Sequence, residues 1–418
     1  MAVSELTAEE AVDRKQDWSI ISLIGVVHAS SHFFQLLLPT LYVFLAREFG
    51  FDYVELGALA TTFFVVSCLG QASSGFIVDR IGPIPVLLFG LGGFVVSGIM
   101  IGFATSYWML WLAAAIGGAG NSIFHPVDYS IINHRISARR LGHAFSVHGL
   151  TGNLGWALTP LFVAAIASDH GWRAAAFSAA GLVAVVWCAA FLGRHLLAGQ
   201  HKQQQEEVAQ ELSSEKSLAR EGVWQTLKIL CKQPALWGAF LFFAFSSMAL
   251  SSVQNYTIPM LGSVYHIDPV VAGTALSAYM VTAAVGMLAG GFLVGADTRS
   301  ERTVFLSLCF AGLMLVLLGS GVLSSSVAVV MVGLAGFFSG VAAPSRDMLI
   351  RRVTPKGATG TVYGLVYSGM DVGSSLAPLM FGAMLDAGLN RGPWFGAAVA
   401  FCISASMAVW IARAAEKK

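Results

Sequence analysis

Two histidines, His28 and His32, stand four residues apart in an apolar run, so they share one face of any helix built there. Imidazole changes charge near neutral pH, and such a pair can bind an anion when protonated or relay a proton. The plainer reading is hydrogen-bonded packing between helices. His125 and Asp128 are three apart around Pro126. Proline frees a backbone carbonyl and bends its helix. The pair can hold a proton or a cationic group, or form a gating or structural ion pair with Arg346. Arg346 and Asp347 follow Pro344. As helix neighbours they point apart and are not expected to satisfy each other, which leaves Arg346 to bind a carboxylate or phosphonate. Asp371 lies deep in another apolar run, where an isolated carboxylate must be protonated, paired or facing water. It is the first choice as a proton carrier, against the alternative of a locking ion pair. His148, near the start of its run, suits an inner gate. Gln35, Gln254, Asn255 and Tyr256 offer uncharged substrate contacts or interhelical hydrogen bonds.

Roles follow from these types and places. Substrate contacts are expected from His28, His32, Gln35, His125, Gln254, Asn255 and Arg346. Proton coupling is expected from His32, Asp128 and Asp371, and gating from His148 and Asp347, with Asp79 and Arg80 joining them on the grounds given below. No metal or cofactor is expected. The five cysteines are scattered without ligand spacing, and phosphate-loop, zinc, nucleophile-elbow and dinucleotide signatures are missing, which argues against an enzyme or an ATP-driven pump.

The elements that must position these residues are membrane helices. Apolar residues make up 56% of the chain and charged residues 11%, where a soluble domain carries about 25% charged. Runs long enough to cross a bilayer fall at 18–46, 55–78, 84–104, 107–132, 142–167 and 174–193. They resume at 235–258, 271–295, 304–323, 327–350, 360–385 and 393–413. Backbone groups in lipid must be satisfied within the segment, so these are helices, and the alternating short runs of a barrel are missing. The expected plan is all-α. A tail (1–17) precedes a six-helix bundle (18–193), a polar linker with some helix (194–234), a second six-helix bundle (235–413) and a tail (414–418). The first apolar run is too long for a signal-peptide core. With both termini in the cytoplasm, 20 of the 24 Lys and Arg residues fall inside, three (Arg47, Arg173, Arg391) outside, and Arg346 within a helix.

The two bundles are repeats. Gly118, Pro126, Gly142, Gly155 and Pro160 fall on Gly336, Pro344, Gly360, Gly373 and Pro378 at an offset of 218. Ser31, Gln35, Pro39, Gly70 and Gly75 fall on Ser251, Asn255, Pro259, Gly290 and Gly295 at an offset of 220. Two six-helix halves in parallel repeat are a transporter plan.

In this setting the loop GFIVDRIGPIPVLL resembles the signature of the major facilitator superfamily. Gly75, Asp79, Arg80 and Gly82 fit it, and Pro83 and Ile84 stand where basic residues are usual. The resemblance makes Asp79 and Arg80 gating residues, pairing with neighbouring helix ends in one state and releasing them in the other. HASSHFFQLLLPTLYVFLAREFG, the proline-rich loop and FHP, within about residues 25–165, are similar to the fosmidomycin-resistance branch, which is mostly drug-efflux proteins. That branch often has an acidic residue where this chain has His32, so coupling through that carboxylate does not carry over. The resemblance implies proton-coupled efflux of a drug or anionic metabolite by a monomer in a bacterial inner membrane, with small solute, protons and lipid as partners and no nucleic acid. Proton-linked uptake of an organic acid is the alternative, and a non-transporting membrane receptor the alternative of another class.

Overall fold

The computed structural model describes residues 8–137, 139–198, 233–296, 299–353 and 359–416, and among these residues the regular structure is helical throughout. The helices are α1 (Ala8–Gln35), α2 (Leu37–Phe49), α3 (Tyr53–Ile81), α4 (Pro83–Gly102), α5 (Tyr107–Asn121), α6 (Phe124–Arg135), α7 (Leu141–Leu192) and α8 (Arg194–Leu197). After the linker come α9 (Pro234–Tyr265), α10 (Pro269–Ala296), α11 (Ser300–Ser320), α12 (Ser325–Val353), α13 (Thr359–Asp386) and α14 (Gly392–Glu416). Most of the expected linker, 199–232, lies outside the described residues.

Nine stretches among the described residues are individually long and apolar enough to cross a bilayer. One of them, α7, is 52 residues long and turns back at Gly171, whose φ of 82° is open to glycine and strained for other residues, so it crosses twice. The α5–α6 pair and α13 supply two more crossings, which brings the architecture to the expected twelve. The faces turned away from the bundles carry large apolar side chains such as Phe292, 84% exposed, and Leu192, 74% exposed. Such a surface belongs against lipid.

Two expected single helices are interrupted where prolines sit. Pro39 has no N–H for the carbonyl of Gln35, and the first crossing breaks at Leu36 into α1 and α2. Thr40 steadies the break, its Oγ1 donating to the Leu37 carbonyl at 3.0 Å. Pro126 likewise leaves the Ser122 carbonyl without a helical donor. Ser74 of α3 reaches that oxygen where α5 gives way to α6, its Oγ 3.2 Å away, sharing its one hydroxyl hydrogen with the Gln71 carbonyl at 2.9 Å.

Lipid tails offer no hydrophobic gain between helices, so close backbone packing must hold the bundles. Glycines at repeat-matched places allow it. A Cβ on Gly155 would stand 2.2 Å from the Ala29 carbonyl oxygen, bringing α7 against α1; on its repeat mate Gly373 it would stand 2.1 Å from that of Ala244, bringing α13 against α9. Gly118 and Gly336 do the same for α5 against α3 and α12 against α10, with the carbonyls of Phe63 and Tyr279 at 2.3 and 2.2 Å.

The halves meet at the end of the molecule away from the chain termini. There α3 and α13 run as an antiparallel seam. The Asp386 carboxylate accepts from the backbone N–H groups of Tyr53 and Val54, each at 2.8 Å. Gly57 lies against the Pro378 carbonyl, and Thr61 Oγ1 donates to the Ser375 carbonyl at 2.7 Å. Beside this seam the Tyr42 hydroxyl donates to Asn255 Oδ1 at 3.1 Å, the Tyr256 hydroxyl donates to the Pro378 carbonyl, and Gly273 of α10 packs on Pro160 of α7.

Candidate functional site

The break at Leu36, the proline in α6 and the glycines of α7 together build a nest of imidazoles inside the first bundle. His28 and His32 come from α1, His125 and Asp128 from α6, and His148 from α7. Asp128 is fully buried. Its Oδ2 lies 3.0 Å from His28 Nδ1 and 3.1 Å from His148 Nε2. The rings of His28 and His148 stack with centroids 3.5 Å apart. His32 lies 4.6 Å and His125 5.5 Å from His28, centroid to centroid. Gly152 makes room, since a Cβ there would stand 3.0 Å from His32 Cε1 and 3.1 Å from His28 Nε2.

An ionised Asp128 only accepts, so both of its contacts place a proton on the facing nitrogen, His28 Nδ1 and His148 Nε2. The opposite nitrogens then carry lone pairs. Burial without compensation marks the rest: both nitrogens of His32, Nδ1 of His125 and Oδ1 of Asp128 are shielded and have no hydrogen-bond partner among the described residues. Buried polar atoms without partners are costly in a folded protein, and each calls for a physical reason. With neutral rings the nest holds one negative charge, which a proton or a small cation would offset. One ring nitrogen from each of His28, His125 and His148 lies within 4.8 Å of the other two, so these three could also hold a metal ion.

A polar chain leads out of the nest. Trp156 packs against His32 with centroids 4.2 Å apart, and its Nε1 donates to Gln35 Oε1 at 3.0 Å. Gln35 Nε2 donates to Asn121 Oδ1 at 3.1 Å, and Asn121 Nδ2 to Ser67 Oγ at 2.8 Å. Tyr129 stacks on His125 with centroids 5.9 Å apart. Trp156, Asn121 and Tyr129 were not singled out in the sequence. The available signals were spacing alone: Trp156 falls four residues after Gly152, and Tyr129 four after His125.

Several expectations are corrected. His148, expected at an inner gate, lies in the nest, because α7 begins at Leu141 and carries it two turns in, opposite Asp128. Asp128 is engaged by His28 and His148, whereas Arg346 turns to Asp347, with Nε to Oδ1 2.8 Å. Neighbours on a helix were expected to diverge; the long arginine instead curls back to its neighbour, its guanidinium 5.2 Å over the Phe243 ring. Arg346 also lines a cavity of about 100 Å³ with Phe242, Ser246, Tyr279 and Ser339 in the second bundle. Asn255 and Tyr256 bond across the halves, as described. Gln254 is buried, and its Nε2 lacks a partner among the described residues. Asp371 is half-buried on α13, with Cys68 of α3 beside it. Arg80 is exposed at the end of α3, and the Asp79 side chain lies outside the described residues.

The sequence profile of the Major Facilitator Superfamily matches residues 23–257 and again 240–418. The chain belongs to this superfamily. It is accordingly a multi-pass membrane protein of a family of transporters, which are not enzymes. It is similar to the fosmidomycin resistance protein of Escherichia coli, 32% identical over 181 residues, which cover 43% of this chain and 44% of that protein. It aligns at 25% identity with the MFS-type transporter YfnC of Bacillus subtilis over 93% of its own length and 92% of the relative's. The fold is shared with a bacterial homolog of the human lysosomal transporter Spinster in an inward-facing and occupied conformation, at a TM-score of 0.72 and 14% identity over 96% of both chains. The superfamily's signature loop and the six-plus-six plan expected from the sequence agree with these matches.

Proposed function

We propose that this protein is a secondary active transporter that moves a small organic solute by alternating access and couples the movement to protons, exporting a drug or an anionic metabolite. The observation that carries the reading is the buried nest, in which one carboxylate and four imidazoles lie within ring contact and several of their polar atoms lack partners. Imidazole is suited to gaining and losing a proton during a transport cycle. His32 and Asp128 are the coupling groups of the first bundle and Asp371 that of the second. Arg346 and Gln254 contribute contacts from the second bundle. The termini lie in the cytoplasm of a bacterial inner membrane, by the distribution of basic residues. The seam at α3 and α13 then faces outward and closes the outer mouth, while segments 18–193 and 235–413 rock against each other as bodies. The similarity to a fosmidomycin resistance protein favours export.

A second reading, proton-linked uptake of an organic acid, is favoured by Arg346 beside its own cavity. Reconstituted vesicles with an imposed pH gradient separate the two by the direction in which fosmidomycin or small carboxylates move. Asp371→Asn is expected to abolish proton-driven accumulation and to spare exchange. Unchanged accumulation in that variant removes Asp371 from coupling, and flux indifferent to any gradient defeats the reading.

A further inference from the structure

From the histidine nest we infer a second property: it is a binding site for one first-row divalent transition-metal cation, held by His28, His125 and His148 and oriented by Asp128. The nitrogens of these three residues approach within 4.8 Å of one another although they come from three different helices. Ligands about 2.0–2.1 Å from a tetrahedral zinc stand roughly 3.4 Å apart, so the nitrogens need to close by about 1.4 Å at most, and the stacked His28 and His148 rings, whose planes differ by 24°, must also turn so that their free nitrogens meet at one ion. His125 Nδ1 has no partner among the described residues. It can therefore turn to an ion without losing a hydrogen bond seen in the structure.

The carboxylate strengthens the case. Metal-bound histidines usually donate their second N–H to a carboxylate, which fixes the tautomer and raises the basicity of the ligating nitrogen. Asp128 does this for two rings at once, at 3.0 Å to His28 and 3.1 Å to His148. The nitrogens left with lone pairs are His28 Nε2 and His148 Nδ1. His32, with both nitrogens unpartnered among the described residues, stands 4.6 Å from the His28 ring and supplies a fourth imidazole or the contact for a bound water. Three or four neutral imidazoles without thiolates select borderline cations such as zinc, cobalt(II), nickel(II) or copper(II), and disfavour magnesium and calcium. The net negative charge supplied by Asp128 offsets part of the cation's charge in a region that lipid keeps at low dielectric. Linear spacing in the sequence does not show this site, because the ligands are separated by about a hundred residues and then by about twenty, and only the fold joins them.

The test uses the whole chain, purified without a polyhistidine tag in detergent, titrated with cobalt(II) and then zinc. The expected result is one cobalt per chain, with visible absorption of the intensity typical of a four-coordinate nitrogen site, bleached by equimolar zinc and untouched by magnesium. X-ray absorption on the zinc-loaded wild type should show at least three imidazole ligands. His28→Ala/His148→Ala should lose the absorption, Asp128→Asn should weaken binding about 10–100-fold, and His143→Ala with His170→Ala, both exposed, should leave it unchanged. Retention of the site in the folded double variant would overturn the inference, as would fewer than three imidazoles on the wild-type metal or no binding at all by the folded wild type. The wild-type measurements decide the matter even if the double variant fails to fold. None of these readouts depends on transport, so a chain that proves to move no solute can still bind the ion, and the reverse.

Discussion

Removing the Asp386 carboxylate should open the seam between α3 and α13. This residue of the second half accepts two backbone N–H groups from the first turn of α3, at 2.8 Å each. Those donors are at a helix N-terminus, where four N–H groups have no helical partner and the dipole favours an anion. Hydrogen bonds to charged groups contribute about 1.5–3 kcal/mol when shielded. Asp386 is exposed, and water replaces part of what is lost, so the pair together is worth about 1–2 kcal/mol. The bonds exist only while the ends of α3 and α13 touch, so their loss destabilises that state alone. A change of this size moves a two-state ratio about 5–30-fold. Asp386→Ala should therefore populate a state with the seam parted, and Asp386→Asn, which keeps one acceptor oxygen, should fall between. Spin labels on cysteines at Arg47 and Leu389, both exposed, in a background freed of native cysteines, report the separation as a distance distribution. A distribution identical to wild type in Asp386→Ala refutes the assignment of this contact as a latch. A distribution in Asp386→Asn that lies between wild type and a shifted Asp386→Ala supports it.

Three further outcomes are expected. Asp128→Asn can still accept from both imidazoles, since both contact the one oxygen Oδ2, but it removes the negative charge of the nest and sets an N–H₂ where Oδ1 stands; solute flux in vesicles should fall at least about tenfold, and undiminished flux would separate the nest from transport. Gly155→Ala and Gly373→Ala force a methyl to within 2.2 and 2.1 Å of backbone carbonyl oxygens, and each should lower the thermal midpoint through about 1–3 kcal/mol of overpacking, whereas Gly142→Ala, with open space around it, should not. Ser74→Ala removes the replacement donor for the Ser122 carbonyl and should cost about 1 kcal/mol in denaturation, with the loss concentrated in hydrogen exchange around the α5–α6 break.

The crossings and the duplication were legible because lipid imposes a single rule, apolar length, and because repeat mates carry glycine and proline at constant offsets. Gly155 and Gly373 stand out in the sequence as repeat mates, and they touch backbone in matched places. The nest was half legible. The i, i+4 and i, i+3 spacings put His28 with His32 and His125 with Asp128, but nothing in a linear chain says that α1, α6 and α7 converge, so His148 is read there as a gate, and an ion pair of Asp128 with Arg346 stays open beside its reading as a proton carrier. The Arg346–Asp347 pair was missed because the rule that neighbours diverge holds for Cβ directions, and a guanidinium on a long stem escapes it. Asp386 offered no signal, since its partners are backbone groups more than three hundred residues away.

All five polar residues of the nest belong to the first six crossings. If the bundles rock as proposed, whatever rides there, proton or ion, travels as a passenger of one body, and its contacts within that body are the same whichever way the pair leans. A passenger held equally in both postures cannot drive the change between them. Directionality must then arise from what the opposite body brings near the nest in one posture and withdraws in the other, and the second bundle's charged side chains, Arg346, Asp347 and Asp371, are where that difference has to be sought.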